Sequence, residues 1–179
     1  FTKMLIDSKS EHKSIFEEVF ADSEWTKVSK DDYKKLTTID KLKRIRHSCS
    51  HILAQVFLEK YPEAKLATGP ATRDGFFYDF NIEGTLHADD IKELQKMFVK
   101  ACKKAQVFEY TKISKSKARR LFEATGQTMK VQVLENIKDE QVTFFKNGNF
   151  LDLCGGPHVP NTNSCIYTKI LDATSAHWR

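Results

Sequence analysis

Two pairs of side chains in this 179-residue sequence have the chemistry of metal ligands or of acid–base catalysts. His47 and His51 bracket "HSCSH" within a run patterned as a helix, and residues i and i+4 share one helix face, so both imidazoles point the same way. Cys154 and His158 are also four apart, in "DLCGGPHVP", but Gly155, Gly156 and Pro157 exclude a helix there and require a tight loop at a strand end. A His-x3-His helix and a Cys-x3-His loop together can build a tetrahedral zinc site, closed and structural or open with a bound water. They can equally build an active site of the same shape without metal, and ligand counting does not separate these. Asp152 would share a strand face with Cys154, where it could orient a histidine, bind a substrate amine, or simply be a solvated strand-end carboxylate. Taken singly, each pair also fits partly exposed residues satisfied by water or backbone.

The elements that would position these residues follow from periodicity. A helix is expected over residues 38–61, stopped by Pro62. Its core stripe is Leu42, Ile45, Cys49, Ile52 and Val56, and the histidines lie roughly opposite, beside Ala54 and Leu58, on a face that reads as a cavity wall. Residues 1–35 are polar and Lys-rich and read as an N-terminal extension, helical or partly mobile. "SIFEEVFADSEW" supplies one short amphipathic helix there, and Ser29 caps a second in "SKDDYKKL".

"KLATGPATRDGFFYDFNI" reads as strand, turn at Gly69–Pro70, and strand, with Phe76, Tyr78 and Phe80 on one face. "DDIKELQKMFVKACKKA" is an amphipathic helix burying Ile91, Leu94, Phe98, Ala101 and Cys102. Ser114 caps another helix, which Gly126 ends. "MKVQVLENI", "VTFFK" and "NFLDLC" read as strands, with a hairpin at "NGN", and the tail "CIYTKILDATSAHWR" as one or two more. Mixed blocks without βαβ alternation predict an α+β domain with a mostly antiparallel sheet.

Composition suits a globular chain without staples: 40% hydrophobic, 30% charged, net charge +5 and pI near 8.9. The positive balance hints at an anionic partner. Four cysteines without a CxxC pair predict a reducing compartment, and Cys49, Cys102 and Cys165 read as buried packing. No stretch has the length of a transmembrane helix or the pattern of a signal peptide, so no membrane partner is expected. Opening on Phe1 rather than Met is expected of a piece of a longer or processed protein.

"RHSCSHILAQ", "GPATRDGFFYDF" and "DLCGGPHVPNT", in this order, resemble the editing domain of threonyl-tRNA synthetases over residues 36–179, with "SAHWR" similar to the junction with the aminoacylation domain. The alanyl-tRNA editing proteins share the two histidine-containing motifs but lack the Gly-Pro…Asp-Gly-Phe stretch. The resemblance implies a long central helix packed against a curved, mostly antiparallel sheet. It also implies hydrolysis, by an activated water, of serine wrongly esterified to threonine tRNA. It implies water activation by His47 and Lys130, a pocket completed by His51, Asp152, Cys154 and His158, a wall residue at Tyr78, and a turn beside it at Gly69 and Pro70. No cofactor is implied as required, although His47, His51, Cys154 and His158 can hold zinc. The implied partners are the serine-charged tRNA and the catalytic domain of a parent synthetase, in the cytoplasm or an organelle matrix. Two departures stand out: Gly155 replaces an arginine common among relatives, and Phe145 a tyrosine found in some.

The chemistry is consistent with that reaction. A pocket built for threonine rejects the smaller serine poorly, because one methylene is worth only about 1–3 kcal/mol, so accuracy needs a second site that hydrolyses what fits. Asp152 suits the amine, the imidazoles the hydroxyl and water, and Lys130 a developing oxyanion. By its own pattern, however, Lys130 reads as the solvent face of an edge strand. The basic run Lys112, Lys115, Lys117, Arg119 and Arg120 could meet tRNA phosphates or be a solvated face. With few cations expected at the site itself, tRNA binding would be weak and salt-dependent. The rival readings are a free-standing deacylase acting in trans and a non-catalytic tRNA-binding module with a structural zinc.

Overall fold

The computed structural model describes residues 13–174. Helix α1 (Lys13–Phe20) buries Phe16 and Val19, one helical turn apart, in the main core. Strand β1 (Thr26–Lys27) follows, then α2 (Lys30–Lys34), whose cap is Ser29: its hydroxyl accepts from the Asp32 N–H at 3.1 Å. Helix α3 (Thr38–Lys60) starts where Thr37 accepts from the Asp40 N–H, and ends before Pro62, which cannot continue it. Cys49, Ile52, Ala54, Val56 and Leu58 are fully buried, whereas Leu42, at the N-terminal end of the expected stripe, is exposed.

Strands β2 (Lys65–Leu66) and β3 (Phe80–Asn81) pair antiparallel. Their pairing continues through Ala67, Thr68 and Asp79 to a bridge between Ala71 and Phe76. The reversal therefore comes at residues 72–75, where the Thr72 hydroxyl accepts from the Gly75 N–H, and not at Gly69–Pro70, which belong to the first arm. Helix α4 (Ala88–Lys103) buries Leu94, Phe98, Ala101 and Cys102. Next come β4 (Phe108–Ser114), α5 (Lys115–Ala124), α6 (Thr128–Glu135), β5 (Gln141–Asn147) and β6 (Phe150–Leu153). The main sheet runs β1-β4-β5-β6, every pair antiparallel. Gly148, at φ +57°, makes the tight β5–β6 turn.

The fold is the expected α+β arrangement. Helix α3 lies against the sheet, with the His51 ring 5.6 Å from Phe150 and the Gln55 amide accepting from Asn147 at 2.8 Å.

Two further expectations fail. "MKVQVLENI" contains α6, not a strand. The Gln127 side chain just before it accepts from the Leu66 N–H at 3.0 Å, and Met129, Lys130 and Leu134 turn inward. Here tertiary anchoring overrides the β-propensity of the valines. The tail forms one 3-10 turn (Thr162–Cys165) and then an irregular segment instead of strands. Gln95 of α4 clamps that segment, donating to the Thr168 carbonyl and accepting from the Ile170 N–H, so a side-chain amide replaces a neighbouring strand. "SAHWR" lies outside the described residues.

Candidate active site

The loop after β6 brings Cys154 and His158 against the histidine face of α3. Gly156 takes φ +67°, and a Cβ there would press on the Phe145 ring at 2.8 Å, so the bend needs glycine on two counts. His158 is fully buried in an aromatic box: it stacks on Phe108 (4.7 Å) and His47 (4.4 Å), tilts against His51 (4.2 Å), and meets Phe145 edge-on (4.6 Å). Phe145 thus serves as a wall for His158, with no hydroxyl to offer it.

The hydrogen bonds assign the His158 tautomer. Ser48 Oγ accepts from the Val159 N–H at 3.0 Å and lies 2.9 Å from His158 Nδ1, its only acceptor among the described residues. Its proton therefore goes to Nδ1, which leaves the hydrogen on Nε2, 3.3 Å from Cys154 Sγ. The same sulfur accepts from the Gly156 N–H at 3.1 Å and lies 3.2 Å from His47 Nε2.

Opposite this cluster sits a second network. Lys130, from α6, is 2% exposed, with Nζ 2.5 Å from Asp152 Oδ1 and 3.1 Å from the Tyr78 hydroxyl. The Lys130–Asp152 contact is an ion pair without the alignment of a hydrogen bond. Tyr78 donates to Asp152 Oδ2 at 2.6 Å, and His51 Nε2 stands 4.0 Å from that oxygen. Tyr78 can reach this position because Gly69 has no side chain: a Cβ there would fall on the tyrosine ring. Ser50 holds this arm of the hairpin by donating to the Gly69 carbonyl at 2.7 Å.

A cavity of about 390 Å³ joins the two networks, and His47, His51, Gly69, Pro70, Tyr78, Lys130, Asp152, Cys154 and Gly155 all line it. This is the size range of small-molecule sites. Of the candidate residues, only His158 lies behind the wall.

Burial sets the electrostatics. It holds His51 and His158 well below the usual histidine range, helped by the neighbouring imidazoles, and lowers His47 less, opposed by a hydrogen bond with the Pro157 backbone. All three imidazoles are therefore neutral at neutral pH. Burial also pushes the Cys154 thiol up to about 12 and drives the Tyr78 hydroxyl well above its ordinary value, with Asp152 adding to both.

The ligand atoms of His47, His51, Cys154 and His158 all lie within 4.8 Å of one another, and His51 Nδ1 is buried without a partner among the described residues. This borderline donor set fits zinc, which would supply a Lewis acid or a bound water there. Holding it would first require the proton to leave His158 Nε2 and the Cys154 sulfur.

Several contributors are not evident from sequence. Ser48 orients His158, and its signal was a polar residue on the helix face turned to the loop. Phe108 lies on β4, which the sequence reading does not mark, and Phe145, singled out only for its missing hydroxyl, acts as a wall of His158. Lys43, Arg44, Arg46 and Arg73 gather near the pocket mouth, contrary to the expectation of few cations there. Conversely, three members of the basic run are engaged elsewhere: Arg119 pairs with Glu135 and Glu123, Arg120 with Glu18, and Lys115 with the Ile137 carbonyl.

Residues 142–177 match the family model described as the threonyl and alanyl tRNA synthetase second additional domain. A threonine–tRNA ligase of Clostridium tetani is 36% identical over 158 residues, 86% of this chain and 25% of that protein. One of Dehalococcoides mccartyi is 40% identical over 141 residues, 79% of this chain and 24% of the ligase. A third, of Francisella tularensis subsp. novicida, is 36% identical over 77% of this chain and 22% of its own length. The chain spans about a quarter of the length of the curated relatives it matches. By these matches the chain belongs to the threonyl-tRNA synthetase family, in the editing-domain region that carries the second additional domain.

Proposed function

We propose that this region hydrolyses serine esterified to threonine tRNA and spares the threonyl ester. The observation that carries the reading is the buried Lys130–Asp152–Tyr78 network facing His47 across one small cavity. A buried ammonium held by a carboxylate and a phenol is costly as packing alone. It is well placed to meet a charge that develops during reaction.

In this reading the ester carbonyl lies between Lys130 and His47, and the substrate ammonium shares the Asp152 carboxylate. Water attacks the carbonyl carbon as His47 Nε2 takes its proton. The new oxyanion faces Lys130 Nζ. The intermediate then collapses: the bond to the ribose oxygen breaks, and that oxygen takes the proton back from the imidazolium. The products are free serine and deacylated tRNA. His51 and His158, both neutral, shape the wall, and His158 keeps Cys154 hydrogen-bonded. The parent protein would be a threonyl-tRNA synthetase working in a reducing compartment, with its catalytic domain as the source of mischarged tRNA.

Single-turnover deacylation tests this. Seryl-tRNA for threonine should be hydrolysed about 10–200-fold faster than threonyl-tRNA, the range one methyl supports; equal rates would remove the reading. The same assay after chelation, with metal analysis, tests the zinc. We expect the rate to persist, because the proton acceptor and the oxyanion partner are both side chains. A second reading, a tRNA-binding module stapled by structural zinc, is favoured by the four-donor cluster. It predicts stoichiometric zinc, unfolding on chelation and no hydrolysis.

A further inference from the structure

A second concavity, of about 860 Å³, runs from the start of α3 to the mouth of the first and shares His47 and Pro70 with it. Its floor is helical: Ile39, Lys43 and His47 follow one another at i, i+4, i+8, with Arg46 alongside, over roughly 12 Å of helix axis. Arg73 and Pro157 form the opposite side. Ile39 is 67% exposed. No carboxylate among the described residues lies within ion-pair distance of Lys43, Arg46 or Arg73. The groove's one acid, Asp40, is bonded by the Thr37 hydroxyl at 2.7 Å. On other faces Arg119, Arg120 and Lys146 are each paired with an acid. Three unmatched cations, Lys43, Arg46 and Arg73, therefore line the way that a strand leading into the pocket would take.

We propose that this groove takes the last single-stranded nucleotides of the tRNA 3′ end, with phosphates at Lys43, Arg46 and Arg73 and base faces against Ile39 and Pro157. The terminal ribose and its ester then arrive beside His47. The groove's charge suits a polyanion, its exposed apolar side chains suit unpaired bases, and its continuity with the cavity fixes the direction of the strand. The assignment rests on the editing reading of the adjoining pocket.

The test measures binding and hydrolysis separately. Fluorescence anisotropy follows a labelled single-stranded RNA ending in CCA against the chain at several KCl concentrations. The triple variant Lys43→Ala, Arg46→Ala, Arg73→Ala should bind at least tenfold more weakly. Its slope of log affinity on log salt should shrink by about 2, from three phosphates at about 0.7 each. The charge-preserving triple Lys43→Arg, Arg46→Lys, Arg73→Lys should stay within threefold of the parent.

The proposal is overturned if the alanine variant binds like the parent, if a blunt RNA duplex binds as tightly as the single strand, or if the parent shows no binding near 10⁻⁴ M, where even non-specific basic patches bind. In hydrolysis, the alanine variant should lose at least tenfold more rate on seryl-tRNA than on 3′-seryl-adenosine, which lacks the upstream nucleotides; equal losses would assign these cations to the pocket instead. A parent that binds the RNA as expected yet hydrolyses neither substrate overturns the editing reading and leaves the groove as an RNA site. A parent that hydrolyses both, with the alanine variant indistinguishable from it, overturns the groove alone.

Discussion

Replacing Lys130 by Met leaves the Asp152 carboxylate buried with only the Tyr78 hydroxyl to hold it. Breaking a buried ion pair from one side costs about 3–5 kcal/mol, whereas replacing both partners by apolar residues is often neutral. Denaturant unfolding should therefore show Lys130→Met strongly destabilised and the double variant Lys130→Met, Asp152→Leu recovering most of the loss. Neither variant should hydrolyse the seryl ester. If Lys130→Met were as stable as the parent, the ammonium would not be paired as described; if the double variant retained activity, neither group would be part of the reaction. This residue could not be read from its neighbours. Its alternation with Met129 and Val131 fits an exposed strand as well as an inward helical turn, and only the family resemblance singled it out.

At the scale of elements, the parts with strong local codes were legible. Helix α3 has a cap at Thr37, a stop at Pro62 and an apolar stripe that is buried from Cys49 onward, and the β5–β6 hairpin has its glycine at positive φ. The Cys154–His158 loop was legible too, because two glycines and a proline leave no alternative. What failed was set by distant partners: α6 by Gln127 reaching Leu66, and the tail by Gln95. The Gly69–Pro70 turn was misplaced because "TRDG" downstream makes the tighter reversal, leaving Gly69 a packing role under Tyr78. That role is testable. Gly69→Ala should push the Tyr78 ring off its seat, costing about 1–3 kcal/mol as overpacking does. It should cut the hydrolysis rate more than a Tyr78→Phe change, which removes the hydroxyl but keeps the ring. A fully active Gly69→Ala protein would mean that the ring is free to move.

For the whole molecule, the interior holds imidazoles that burial keeps neutral, and this couples global stability to pH. His51 and His158 titrate well below their ordinary value in the folded chain, and His47 below it, while in the unfolded chain all three return to about 6.5. Below pH 6.5 the unfolded state thus binds protons that the folded state refuses. Stability is fully present above 6.5 and is lost as pH falls from there toward the folded values. Between pH 7.5 and 5 each histidine that stays neutral in the folded state contributes a loss of about 2 kcal/mol. Carboxylates confuse this window little, since their ordinary values lie near 4. Chemical denaturation from pH 7.5 to 5 should show stability falling steeply with acid. The variant His51→Asn should give a shallower slope over the same range, whatever its stability at pH 7.5. A parent whose stability is flat across this window would mean that the imidazoles find a way to charge inside the fold. An unchanged slope in His51→Asn would mean that His51 is not one of the groups kept neutral.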